Sequence, residues 1–268
     1  MAWGPVTLDE GTGPTALLLH GQPGTGASWR PVVDLLRDDH RVLAPDRPGY
    51  GDNDAPATDF RGNAEAMAEL LGARGAVPAV VVGHSWGGGV AIELARSFPE
   101  VVAGLVLVAS VGTVGSVNLL DDLLAAPVVG DGLAALGLAV MGSALPWVRD
   151  RMDGLPGRWA SWWRTALPDA SMAGGTAGAL GRVRRSFMVE QRALVAALPS
   201  LEGALAGVGV PAAVIAGTAD VVVSPAAAAE LAHAVTGATL ELVDGVGHFV
   251  PRDAPAVIAD TVRRLTRS

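Results

Sequence analysis

The sequence predicts an α/β protein: a mostly parallel sheet with helices on both faces and a helical insertion late in the chain. Three observations carry this expectation. Near-continuous apolar runs at 16–19, 80–82, 105–109 and 212–216 alternate with helical patterns, as strands buried on both faces do. One run ends in Gly83-His84-Ser85-Trp86-Gly87 and passes at once into a helical pattern, so a strand turns sharply into a helix with Ser85 at the apex. Residues 113–207, by contrast, contain no convincing strand, only glycine-broken apolar pieces such as 119–126 and 133–145.

Composition narrows the function classes. A chain of 268 residues suits one α/β domain with an insertion and can bury a full core. Half of it is hydrophobic and 17% is charged, which is globular rather than disordered. The net charge of −8 argues against nucleic acid and anionic membranes as partners. Cysteine is absent, which removes disulfides, thiolate metal sites and a cysteine nucleophile. All 19 basic residues are arginine, so no lysine can form a Schiff base or anchor pyridoxal phosphate. The N-terminal residues lack the basic and apolar regions of a signal peptide, and 133–148, with two glycines and a proline, falls short of a bilayer span. These features lead us to expect a cytoplasmic protein acting on a small molecule, its oligomeric state open.

Taken in order, the first buried strand (16–19) leads into His20-Gly21-Gln22-Pro23-Gly24. Gly21 and Gly26 have the spacing of a phosphate loop, but Ala27 stands where its lysine must be, so that reading fails. An amphipathic helix follows over 29–38, with Val32, Val33, Leu35 and Leu36 on its apolar side. A strand at 41–44 runs into the turn Pro45-Asp46-Arg47-Pro48-Gly49-Tyr50-Gly51-Asp52-Asn53, and 59–72 reads as a helix carrying Met67, Leu70 and Leu71. After the insertion, a strand over 210–218 is followed by Asp220, and Ser224 and Pro225 open a helix as N-cap and first residue. A last strand at 239–243 leads to Asp244-Gly245-Val246-Gly247-His248, and a closing helix bears Val257, Ile258, Val262 and Leu265. Before Ala16 there is room for only one short strand.

Gly83-x-Ser85-x-Gly87 between strand and helix, the His20–Gly24 turn, the glycine-rich turn after Asp46, and the chain order Ser85, Asp220, His248 together resemble the α/β-hydrolase family. The likeness spans essentially the whole chain. Asn53 stands where that family's turn usually has serine, and the usual N-terminal antiparallel pair is one strand short. The resemblance implies an α/β-hydrolase fold with a core of 1–112 and 208–268 and a helical cap over 113–207. In such a site Ser85 attacks, His248 takes its proton, and Asp220 holds the imidazole in one tautomer. The glycines two residues either side of Ser85 leave room for its strained backbone. The oxyanion donors implied are the backbone N–H groups of Gln22 and Trp86, since Pro23 has none.

Other candidates read as structural. His20 and His84 are expected to hydrogen-bond or pack near the loops, Asp244 to shape its turn, and His40 and His233 to lie on the surface. No acid occurs in 110–120 to compete with Asp220, and no histidine pair has metal-ligand spacing, so neither metal nor cofactor is expected. Trp159, Trp162 and Trp163 are candidate substrate contacts in an apolar roof, with a small cap core as the alternative. Serine at position 85 excludes the relatives of this fold that attack with aspartate, the haloalkane dehalogenases and epoxide hydrolases. The activity implied is a cofactor-free serine hydrolase acting on carboxylic esters of small or medium apolar molecules. Alternatives are a C–C bond hydrolase or lyase, a cofactor-free haloperoxidase or perhydrolase, and a non-catalytic small-molecule binding module. A proline iminopeptidase ranks low, because the insertion lacks an obvious acidic cluster for a free amino terminus.

Overall fold

A computed structural model describes residues 6–136 and 177–267. Its strands are β1 (Leu8–Glu10), β2 (Thr15–Leu19), β3 (Arg41–Ala44), β4 (Ala79–His84), β5 (Val102–Val108), β6 (Ala212–Gly217) and β7 (Thr239–Val243). They form one sheet in the order β1-β3-β2-β4-β5-β6-β7, parallel throughout except for β1, which pairs antiparallel with β3. The helices include α1 (Arg30–Leu36), α2 (Phe60–Ala73), α3 (Trp86–Ser97), α4 (Leu119–Ala125), α5 (Ala177–Ala204), α6 (Pro225–Ala234), α7 (Val250–Asp253) and α8 (Pro255–Thr266), with a further helical stretch at 129–136 and a few short 3-10 turns between.

The period-two alternation of the strands sorts their apolar side chains onto two cores. Leu17, Leu19, Val81, Leu105, Leu107 and Val214 face α2, α3, α6 and the later turns of α5. Ala16, Leu18, Val80, Val82, Val106 and Ile215 face α1 and α8. Both faces are therefore dry, which is why β2, β4 and β6 are buried along their full length. The edge strand β7 is the exception, exposed at four of its five positions. The helix starts follow local chemistry: the Asp59 side chain accepts from the Gly62 N–H at the start of α2, and Ser224 accepts from Ala227 N–H at the start of α6.

The strand order reverses beside β2. From β2 the chain steps outward through α1 to β3, then crosses back to β4 on the other side of β2. Open α/β sheets carry their sites at the carboxyl ends of the strands flanking such a reversal, and the loops leaving β2 and β4 meet here.

Three details differ from or extend the sequence expectations. The first helix is shorter than 29–38, because a 3-10 turn (Gly26–Trp29) occupies its expected start. His40 is buried, not a surface residue: its Nε2 lies 3.0 Å from Thr266 Oγ1 at the end of α8, which packs over α1. Within the stretch expected to hold glycine-broken helical pieces, α5 runs for 28 residues. Part of the expected helical piece 133–145, and Trp147, Trp159, Trp162 and Trp163, lie outside the described residues. Among the described residues no helix is long and apolar enough to cross a membrane.

Candidate active site

The site is built at the β4–α3 junction. Ser85 stands at φ 53° and ψ −122°, in the left-handed region that non-glycine residues rarely enter. Its backbone is pinned on both sides: its N–H donates to Val108 O (2.9 Å), and its carbonyl accepts from Gly88 N–H (2.9 Å). A Cβ on Gly83 would collide with the Gly87 carbonyl, and one on Gly87 would collide with the carbonyls of Leu19 and His20. The glycines thus let the elbow close and let α3 approach the end of β2. The Ser85 hydroxyl takes no hydrogen bond among the described residues.

Asp220 and His248 follow β6 and β7, whose carboxyl ends lie on the same sheet edge as that of β4. The two side chains meet: His248 Nδ1 is 2.9 Å from Asp220 Oδ2, and both residues are buried. The other carboxylate oxygen accepts the N–H groups of Val222 (2.8 Å) and Val223 (3.0 Å). With Oδ1 so occupied, Oδ2 is left to accept from the His248 Nδ1–H, and the unprotonated Nε2 is on the far side of the ring. His84 ties this loop to the elbow, its Nε2–H donating to the His248 carbonyl at 2.9 Å and its ring centroid 4.9 Å from that of His248. Burial first, and the neighbouring His248 second, pull the His84 pKa down to about 3, so it is neutral. Asp244 accepts from Thr218 Oγ1 (3.2 Å), which itself accepts the Gly245 N–H (2.9 Å), the turn-shaping contact expected of it.

The loop after β2 closes the other side. Ser85 and Gly21 are so close that a Cβ on Gly21 would stand 3.0 Å from that of Ser85. The backbone N–H groups of Gln22 and Trp86, the two expected donors, take no hydrogen bond among the described residues. The Trp86 ring is buried between Phe60 (centroids 4.5 Å apart) and the Arg47 guanidinium (4.4 Å above the ring), so it supports rather than lines the site. His20 is structural, as expected. Its Nε2 accepts the Arg47 N–H (3.0 Å), which leaves the proton on Nδ1 to reach the Gly21 carbonyl (2.8 Å). Burial holds its pKa well below the ordinary imidazole value. Asp46 ties the loop to the β3 turn through Gly26 N–H (2.7 Å) and Asp52 N–H (3.0 Å), and Asn53 Nδ2 donates to the Asp46 carbonyl at 2.9 Å.

Residues 16–261 match the alpha/beta hydrolase family. The chain belongs to that family. This hydrolase is 32% identical to an uncharacterized protein of Mycobacterium tuberculosis over 95% of its own length and 76% of that protein's. Its fold matches a thermophilic esterase from Thermogutta terrifontis with a TM-score of 0.71 at 21% identity, over 97% of this chain and 92% of the esterase. It likewise matches a meta-cleavage product hydrolase from Pseudomonas fluorescens, TM-score 0.70 at 21% identity, over 97% and 93%. At such identities the structural likeness concerns the fold.

Arg47, Glu190 and Gln191 around the loop after β2 were missed in the sequence. Arg47 and Glu190 form a fully buried ion pair, with the second guanidinium contact at 3.2 Å (Nη2 to Oε2) and Tyr50 Oη donating to the same carboxylate at 2.8 Å. Burial pushes the Glu190 pKa up, against the opposing pull of Arg47. Among the described residues no group of three or more His, Cys, Asp or Glu side chains could hold a metal ion.

Proposed function

We propose that this protein is a serine hydrolase that cleaves carboxylic esters of small or medium apolar molecules through an acyl-enzyme. The observation that carries this reading is the buried Asp220–His248 contact at the sheet edge where Ser85 sits strained at the tip of its elbow. Ser85 Oγ attacks the ester carbonyl as His248 Nε2 takes its proton. The carbonyl π bond becomes an oxyanion facing the Gln22 and Trp86 N–H groups, each worth about 3 kcal/mol in comparable sites. On collapse, the C–O bond to the leaving group breaks, and His248 returns the proton to the departing alkoxide. Water, deprotonated by the same imidazole, then releases the acid and restores Ser85. Asp220, held by its two backbone donors, stabilises the imidazolium at each step. The absent Ser85–His248 hydrogen bond is in keeping with free enzymes, whose catalytic contacts commonly shorten only with substrate bound.

Residues 113–207 serve in this reading as a cap, with the apolar side chains Trp159, Trp162 and Trp163 available to select an apolar acyl or alcohol group. A substrate panel tests the chemistry. We expect p-nitrophenyl esters of short and medium acids to be turned over, vinylogous β-diketones and peroxide-dependent halogenation to be slower, and Ser85→Ala to lose at least about 1000-fold in kcat/KM. Faster cleavage of the diketone than of any ester would reassign the protein to C–C bond hydrolysis with the same three residues.

A further inference from the structure

Two consecutive residues of α5 reach both sides of the oxyanion site. Glu190 pairs with Arg47, whose Nε donates to the His20 carbonyl (2.9 Å) and whose Nη2 donates to the Gly21 carbonyl (3.0 Å). The Glu190 backbone carbonyl accepts the Trp86 indole N–H at 3.2 Å. Gln191 Oε1 accepts from Gln22 Nε2 at 2.7 Å, and its own amide group is oriented by Asp121 of α4, whose carboxylate and carbonyl accept at 3.1 and 3.2 Å. The Gly21–Gln22 peptide is not among the cis bonds of the chain, so its C=O and N–H point in opposite directions. Fixing the Gly21 carbonyl from behind, with Arg47 Nη2 and His20 Nδ1 on one oxygen, therefore fixes where the Gln22 N–H points.

We propose that Arg47 and Glu190 are positioning residues, a buried clamp by which α5 aims the Gln22 N–H at the reacting carbonyl oxygen. The inference rests on the serine-hydrolase reading above. A guanidinium is needed because its planar fork spans two adjacent backbone carbonyls and a carboxylate at once, which an ammonium cannot do. The cation is fully buried, and Glu190 supplies the counter-charge that makes its burial tolerable. The oxyanion site is consequently complete only while α5 is seated against the β3 turn. Ester turnover and α5 docking are thereby coupled.

The test uses the full chain, wild type beside Arg47→Lys and the double variant Arg47→Met/Glu190→Leu. The first keeps the charge and loses the fork. The second removes both charges, so no ion is stranded in the core if the first variant misfolds. For each folded protein, the readouts are kcat and KM on p-nitrophenyl butyrate and the inhibition constants of two probes. One probe is an alkyl trifluoromethyl ketone, whose carbonyl adds the serine oxygen to form an oxyanion. The other is the matching secondary alcohol, which cannot. We expect kcat to fall between about 10- and 100-fold, less than the loss of a whole donor, with KM within about threefold. The ketone should weaken by the same factor as kcat/KM, and the alcohol should bind unchanged. Parallel losses for ketone and alcohol, or kcat and ketone affinity within twofold of wild type, would overturn the clamp. A wild-type protein that neither turns over ester nor binds the ketone would overturn the hydrolase reading itself, and the clamp with it.

Discussion

A serine at φ 53° holds a conformation that costs a non-glycine residue about 1–3 kcal/mol, and the packing around it has to make up the difference. Gly83 shows how little room is left. A methyl group there meets the Gly87 carbonyl, so Gly83→Ala is expected to lower stability by about 2 kcal/mol or more, read from the midpoint of urea unfolding. His84 carries a pH consequence. Its folded pKa is about 3, whereas an unfolded histidine titrates near its ordinary value of about 6.5. The unfolded chain thus binds a proton that the folded chain refuses. This contribution to stability is complete above pH 6.5 and is lost as the pH falls towards 3, at up to about 1.4 kcal/mol per pH unit. His20, also depressed by burial, acts in the same direction. Urea titrations between pH 7 and 4 should show the decline, and His84→Gln should flatten it. An unchanged slope in that variant would assign the acid sensitivity elsewhere.

At the scale of elements, side-chain acceptors tie loop backbones together. Asp46 takes two backbone N–H groups from different turns, so Asp46→Ala strands both donors and should cost about 2–4 kcal/mol. Calorimetry on the variant would measure it. Strands and most helices were legible in the sequence because dry two-faced strands leave unbroken apolar runs, as at 80–82 and 212–216. Both ends of β7 match expectation to the residue, and β6 lies within the expected 210–218. What stayed hidden was long-range and polar. His40 reads as a surface residue because nothing local says that a helix 226 residues later will cover it. Arg47 reads only as part of a turn, and nothing local to Glu190, 143 positions away, marks it as the partner of Arg47. The candidate triad was legible for the opposite reason, since each member follows a strand end that the pattern had already marked.

At the scale of the described molecule, the loops leaving β2, β3, β4, β6 and β7 open on the same sheet edge, beside the reversal of strand order at β2. The strained elbow, the Asp220–His248 pair and the Arg47–Glu190 pair all lie in the loops or helix meeting there. The proposed mechanism has no step that calls for a metal. Dialysis against EDTA is therefore expected to leave ester turnover unchanged, and a loss restored by a divalent cation would contradict the mechanism. In the proposed mechanism Ser85 is an activated nucleophile facing a formed oxyanion site. Intact-mass measurement after incubation with a fluorophosphonate, on wild type and Ser85→Ala in parallel, tests it most directly. We predict one adduct on the wild type and none on Ser85→Ala. Equal labelling of both proteins, or of neither, would contradict the claim.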